Sequence, residues 1–139
     1  MHVLHTHTSH PLALLACRYS STATSPCHTF IVWAPGSTNP GALTYHLTVR
    51  PQHLVCTRKL QARGMLLTGG SMRAPEAIVP GASADTQNAF VGSTMVFAGS
   101  SLEEVHTIIE SDLYYTSGVW DKEKLMILPY FPALPWPEN

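Results

Sequence analysis

Charge is scarce in this chain: eight Lys and Arg and nine Asp and Glu among 139 residues leave a formal net charge of -1. A nucleic-acid binder needs a basic stripe to displace counterions from phosphates, and this balance excludes one. Cysteine is scarce too. Cys17, Cys27 and Cys56 are odd in number and match no metal-ligand or redox spacing, which argues against a disulfide framework and for a reducing compartment. No apolar run approaches the ~20 residues that a helix needs to cross a bilayer, so the expectation is a soluble, cytoplasmic protein with no membrane partner. Gly69-Gly70 sits in neither a GxGxxG nor a P-loop pattern, so it reads as a bulge or a close backbone approach and not as a phosphate cradle.

Acidic residues are absent altogether from the first 28 positions, which hold His2, His5, His7, His10 and His28, many Ser and Thr, and one Arg, Arg18. This composition reads as a disordered or targeting-like extension. It resembles a mitochondrial transit peptide weakly, since one Arg is few for that purpose, and a mitochondrial location is the alternative to a cytoplasmic one. The histidines lie in a low-complexity tract without Cys or carboxylate beside them, so no metal site is expected there.

What remains is enough apolar content, 45% of the whole, for one small core. Thr29 to Ala34 has the β-branched and aromatic content of a strand, and Pro35 to Gly41 reads as a loop. Helical spacing begins with Leu43 and Leu47 on one face. Pro51 is placed for a first helical turn ahead of His53, Leu54, Val55 and Leu60, and Gly64 is the stop. Met65 to Gly70 is a second strand, Pro75 to Asn88 a long loop, and Ala89 to Ala98 a third strand. Ser101 with Glu104 forms a capping-box pattern ahead of Leu102, Val105, Ile108 and Ile109, so a second helix with one apolar face follows. Asp112 falls in a sharp loop ending at Gly118. Val119 to Lys124, continued by Leu125 to Leu128, reads as a strand that begins half exposed and finishes buried. Pro129, Pro132, Pro135 and Pro137 then forbid further pairing and predict an extended arm.

The order βαββαβ predicts an α+β, ferredoxin-like fold: an antiparallel four-stranded sheet with both helices on one face. The other face is left bare in a monomer. Together with the low charge, this predicts a homodimer packed sheet to sheet.

Arg50-Pro51-x-His53-Leu54, Gly69-Gly70, Gly92-Ser93 and Ser111-Asp112-x-Tyr114 through Gly118-Val119-Trp120 occur in that order, each in its own element. As an ordered set they resemble the YCII-related family across about Phe30 to Phe131. The resemblance divides the chain into an extension at 1–28, the domain at 29–131 and a Pro-rich arm at 132–139. It implies a dimeric α+β barrel arrangement, similar to muconolactone isomerases, with His53 and Asp112 facing a shared cleft. The family's usual Asp-Pro-Tyr reads Asp112-Leu113-Tyr114 here, which frees the backbone that proline would restrain.

The residues themselves support acid/base chemistry. A carboxylate bonded to one imidazole nitrogen fixes the tautomer and makes the other nitrogen a better base near neutral pH. Such a pair can take a proton from carbon beside a carbonyl and return it to oxygen. Arg50, one turn before His53, can hold an enolate or phenolate oxygen. Tyr114, Tyr115 and Trp120 are candidates to line an aromatic pocket, and Ser71 and Arg73 to reach it from the second strand. The plainer alternatives are a structural His53, an Asp112 that merely caps its own turn, an Arg50 in a surface ion pair, and aromatic residues committed to core or interface. His46 and His106 have no partner in the sequence and read as solvated.

Fungal proteins similar to this chain, sharing the Phe30-Ile31-Val32-Trp33-Ala34-Pro35 strand and the Arg50-Pro51-x-His53 helix, occur in aromatic polyketide pathways. That resemblance implies a cofactor-free dehydratase that removes water from a cyclic hemiketal or hydroxy-dihydropyrone to give a pyrone such as a naphtho-γ-pyrone. An isomerase or cyclase of the same substrate class, or a non-catalytic dimeric module that sequesters a reactive intermediate, are the alternatives.

Overall fold

The computed structural model describes residues 27–134; the extension expected at 1–28 lies outside that range up to residue 26, and the Pro-rich arm expected at 132–139 lies outside it from residue 135. The first strand starts one residue earlier than the sequence predicts: β1 is His28–Pro35, and His28 pairs with Gly99 instead of belonging to the extension. Its period of two puts Phe30, Val32 and Ala34 into the core and leaves Ile31 and Trp33 on the opposite face.

Gly41, in the left-handed region at φ 88°, turns the chain into helix α1, Ala42–Ala62. This is one continuous helix with Pro51 inside it, whereas Pro51 was expected at a first turn. Lacking an N–H, Pro51 leaves the Leu47 carbonyl without a helical partner, a defect the helix absorbs through packing on the sheet. Leu43 and Leu47 face solvent, and the fully buried side chains of α1 are His46 and His53.

Strand β2, Leu66–Arg73, runs beyond its expected end at Gly70 and carries a register shift between Leu66 and Thr68. Gly69 is needed where β2 crosses β3, because a Cβ there would stand 2.9 Å from Met95 Cγ. The long loop expected over Pro75 to Asn88 instead contains a single 3-10 turn, Pro75–Ile78, and the short helix α2, Ala84–Asn88, whose Ser83 Oγ accepts from Thr86 N. Local side-chain capping is enough to organise a segment that lacks any apolar period.

Strand β3, Phe90–Gly99, leads into α3, Leu102–Glu110. One half of the capping box forms as its spacing predicts, Ser101 Oγ accepting from Glu104 N at 3.1 Å, while the Glu104 carboxylate reaches one residue further back and accepts from Ser100 N at 2.7 Å and Ser100 Oγ at 2.8 Å. These bonds hold the Glu104 carboxyl below its ordinary value. A one-turn helix α4, Leu113–Thr116, and strand β4, Met126–Pro129, complete the domain. The strand expected from Val119 is shorter than its apolar run. Trp120 makes an isolated bridge with Gly36, and the chain then turns as Asp121 Oδ1 and the Asp121 carbonyl accept from Glu123 N and Lys124 N. An aspartate that bonds its own following backbone competes with a strand ladder and here prevails. Nor does β4 finish buried: Ile127 is inside while Met126 and Leu128 are exposed.

The strands order as β2-β3-β1-β4, every pair antiparallel, with α1 and α3 packed on one face. This is the ferredoxin-like α+β arrangement expected from the element order. Phe30, Val32, Met95, Phe97 and Ile127 from the sheet meet Val105 and Ile109 from α3, with Val49 and Leu60 of α1 against the edge of the cluster. On the other face Ile31, Trp33, Met126 and Leu128 form an apolar patch, with Trp33 opposite Met126 and Ile31 opposite Leu128 in the β1–β4 ladder.

Candidate active site

Asp112 is held by its own backbone position. It is the N-cap of α4, where an acidic side chain is favoured because it accepts from an otherwise unpaired N–H, and Oδ1 takes that bond from Tyr114 N at 2.8 Å. The turn closes without the family's proline, through Thr116 N to Asp112 O and Ser117 N to Leu113 O, both at 2.9 Å. The same Oδ1 accepts from His53 Nδ1 at 2.8 Å, and Oδ2 lies 3.1 Å from that nitrogen. Capping and pairing, which the sequence offers as alternatives for Asp112, therefore coexist.

The imidazole of His53 is clamped on its faces as well. Tyr114 stacks on it with centroids 3.8 Å apart and planes 9° from parallel, and Trp120 meets it edge-on at 6.0 Å. A ring that donates from Nδ1 to a carboxylate carries its lone pair on Nε2, so His53 presents a base with its tautomer set by Asp112. Burial pushes the Tyr114 phenol up to about 12 against the opposing pull of Arg50, with the Asp112 charge adding to the rise. The phenol thus stays protonated and is a donor, not a base.

His53 lines a cleft of about 410 Å³ between α1, β2 and β3, shared with Arg50, Arg58, Ser71, Phe90, Ser93 and Tyr114. Arg50, His53, Ser71 and Tyr114 line this one cleft, with Asp112 bonded to His53 beside it. Arg50 forms no ion pair among the described residues, so its guanidinium is open to a ligand. Arg73 is not a wall of the cleft but donates from Nε to Ser71 Oγ at 3.3 Å, bracing a residue that is.

Two expected substrate contacts are misplaced. Tyr115 lies outside the cleft with Lys122 Nζ over its ring at 4.6 Å, because successive side chains on a helix point about 100° apart and Tyr114 takes the inward direction. Trp120 is 1% exposed and behind the site, its Nε1 donating to Ser93 Oγ at 3.2 Å. It supports the cleft without lining it.

Sequence reasoning missed His46, Arg58, Phe90 and Ser93. His46, expected in solvent, is 4% exposed and stacks on Phe90 with centroids 4.2 Å apart. The available signal was the helical spacing of His46, Arg50, His53 and Thr57, which places all four on one face. His106 is exposed, as its sequence context predicts. Among the described residues no three His, Cys, Asp or Glu cluster as metal ligands do, and no helix is long and apolar enough to cross a membrane. Cationic Arg50 and Arg58 line the cleft, and the carboxylate beside it is already engaged by His53, so the arrangement suits an oxygen that gains negative charge while a base removes a proton.

Known proteins share this framework. The chain is 36% identical over 80 residues to "Protein YciI" of Escherichia coli O6:H1, an alignment covering 58% of this chain and 76% of the relative, and equally so to the "Protein YciI" of Shigella flexneri. Among solved structures it is similar in fold to 5-chloro-2-hydroxyhydroquinone dehydrochlorinase from Burkholderia phenoliruptrix AC1100, in complex with 2,5-dihydroxybenzoquinone. That likeness has a TM-score of 0.55 at 20% identity and covers 80% of this chain and 95% of the other. The model of the YCII-related domain matches residues 32–128, a span that takes in both long helices and all or part of each of the four strands, and the chain belongs to that family.

Proposed function

We propose that this protein is a cofactor-free dehydratase acting on an oxygenated aromatic polyketide, a cyclic hemiketal or hydroxy-dihydropyrone, to give a pyrone in fungal pigment or secondary-metabolite biosynthesis. The observation that carries the reading is the 2.8 Å bond from His53 Nδ1 to Asp112 Oδ1 at the wall of a cleft that also presents Arg50. Nε2 of His53 takes a proton from the CH2 between the carbonyl and the hemiketal carbon. The electron pair moves onto the carbonyl oxygen, where Arg50 meets the enolate charge. As the enolate collapses, the C–O bond to the hemiketal hydroxyl breaks, and the proton on His53 leaves with that oxygen as water. One water is lost, no electron acceptor is needed, and Asp112 stays ionised to orient the ring and balance its transient charge. The product gains conjugation, so general acid/base help of ~10²–10⁴ suffices.

The dehydrochlorinase of similar fold supports the elimination class: its name describes loss of HCl from a chlorinated, hydroxylated ring, and its bound ligand is an oxygenated six-membered ring. Loss of HX after proton removal is the chemistry that the His53–Asp112 pair is arranged to assist. The test is mass spectrometry of a host making the hemiketal precursor, with this protein present, absent or carrying His53→Ala. Faster appearance of a product lighter by one water, only with His53 intact, is expected. Equal rates in all three sink the proposal, and a cleft that binds precursor without a rate effect turns it into a sequestering module; a product of unchanged mass turns it into an isomerase or cyclase.

The working unit we propose is a homodimer. The patch of Ile31, Trp33, Met126 and Leu128 is the face that two copies can cover by packing sheet to sheet, a self-complementary contact. Sedimentation of the unmutated protein as a dimer and of Trp33→Glu as a monomer is the expected pair of results; a monomer in both discards it.

A further inference from the structure

The mechanism above leaves one buried polar group unused. His46 lies seven residues before His53 on α1 and lines the same cleft, yet Nδ1 of its imidazole is buried with no hydrogen-bond partner among the described residues. Its surroundings are aromatic: Phe90 stacks on one face at 18° from parallel, and Tyr114 meets the ring at 5.2 Å and 65°. Neither ring face offers a hydrogen bond of ordinary strength, and the Tyr114 phenol makes none to His46. Burial, then the charges of Arg50 and Arg73 and the neighbouring His53, lower the tendency of His46 to take up a proton. These effects favour the neutral imidazole, which has one donor and one acceptor nitrogen, and Nδ1 is the one left unpaired.

A native fold rarely leaves such a group unpaired, because the full desolvation penalty is then felt without compensation. Phenylalanine at this position would keep the stack on Phe90 without that penalty, so packing alone does not account for a histidine. A ligand does. Tyr114 touches both imidazoles, 3.8 Å from His53 and 5.2 Å from His46, and their seven-residue spacing sets the two histidines on one face of α1 two turns, about 10 Å, apart along the cleft. We infer that His46 is a substrate-contacting residue, which hydrogen-bonds a second oxygen of a fused-ring ligand whose reacting carbon lies at His53. The inference rests on the reading of this cleft as a site for oxygenated aromatic rings, and it adds a size and a pattern. The ligand has at least two fused rings, with one oxygen at the reacting end and another at the His46 end, and a single-ring compound meets one histidine only.

Calorimetric titration with 2-hydroxy-1,4-naphthoquinone and with naphthalene, alongside thermal melts, tests this without requiring turnover. The unmutated protein is expected to bind the hydroxyquinone, and His46→Phe to weaken it about tenfold, the effect of one hydrogen bond left unmade. Naphthalene affinity stays the same in that variant and its melting temperature is unchanged or higher. His46→Gln, which restores a hydrogen-bonding amide, recovers part of the lost affinity. In the complex the 15N resonances of the His46 ring shift. Unaltered hydroxyquinone affinity in His46→Phe overturns the inference, as does equal weakening of both ligands, which a collapsed cleft produces. If His46→Phe does not fold, wild-type affinity in a folded His46→Leu protein, or a His46 resonance unmoved by ligand, overturns it as well. So does absence of saturable hydroxyquinone binding by the unmutated protein. Failure of the dehydratase reading is seen separately, as unchanged water loss in His53→Ala, and leaves these titrations interpretable.

Discussion

Helices α1 and α3 pack on the same face of one sheet and bury opposite kinds of side chain. The inward residues of α3 are Val105 and Ile109, which join Phe30, Phe97 and Ile127 in the core. The most buried of α1 are His46 and His53, held by aromatic rings and a carboxylate, while Val49 and Leu60 are only partly buried and its leucines at 43 and 47 face solvent. A buried aliphatic side chain stabilises by leaving water, and nothing more is asked of it. A buried imidazole is unfavourable unless partnered, so its presence on α1 marks a face shaped by chemistry. The fold rests mainly on the aliphatic face of α3, and the candidate site lies on the imidazole face of α1.

Substitutions on the two helices should therefore separate stability from activity. The largest effect is expected from His53→Asn, whose amide still donates to Asp112 but offers no base: water loss slows by ~10²–10⁴, equivalent to about 3–5 kcal/mol of barrier, with a melting temperature close to that of the unmutated protein. A matching collapse in the melt would show that His53 is structural after all. On α3, Ile109→Ala should cost about 2–5 kcal/mol of stability by leaving a cavity among Val105 and the sheet residues. Its turnover per folded molecule should be retained, measured below the lowered melting transition, and a large loss of turnover would mean that the two faces are coupled. Ser101→Ala, which removes the cap bond to Glu104 N, should cost about 1 kcal/mol in denaturant titrations and leave turnover alone.

The smallest effect is the pH response of α1. The folded protein holds His46 below its ordinary value of 6.5, so as pH falls through about 6.5 the unfolded chain binds a proton that the folded ring refuses. That contribution is fully present above this pH and is lost below it. Melting temperature should decline from pH 7 toward 5, and His46→Phe should decline less steeply; parallel curves would show that His46 is not held neutral in the fold. Ile109→Ala, with no titratable group altered, should keep the full slope.

The difference between the helices also explains what could be read from residues alone. Helix α3 announces itself through its cap and its period, because Ser101, Glu104, Val105 and Ile109 satisfy local rules that need no partner. Helix α1 does not show which face is inward. Leu43 and Leu47 indicate one side, His46 and His53 the other, and only packing against Phe90, Tyr114 and Asp112 decides between them. Tyr115 and Trp120 were misassigned to the cleft for a similar reason, since composition shows an aromatic cluster but not which member faces the opening. The fourth strand is shorter than its apolar run predicts because Asp121 bonds its own following backbone and ends pairing after Trp120.

By itself, then, the sequence determined the order of the four strands and the two long helices and the cap of α3. Those features follow from local propensity and periodicity, both carried by neighbours in the chain. Only the tertiary structure decided that Asp112 both caps α4 and orients His53, that Trp120 stands behind the site, and that His46 shares the cleft. Each of these depends on distances between residues far apart in sequence, from 59 positions for His53 and Asp112 to 27 for Trp120 and Ser93, and such distances are set by the packed sheet.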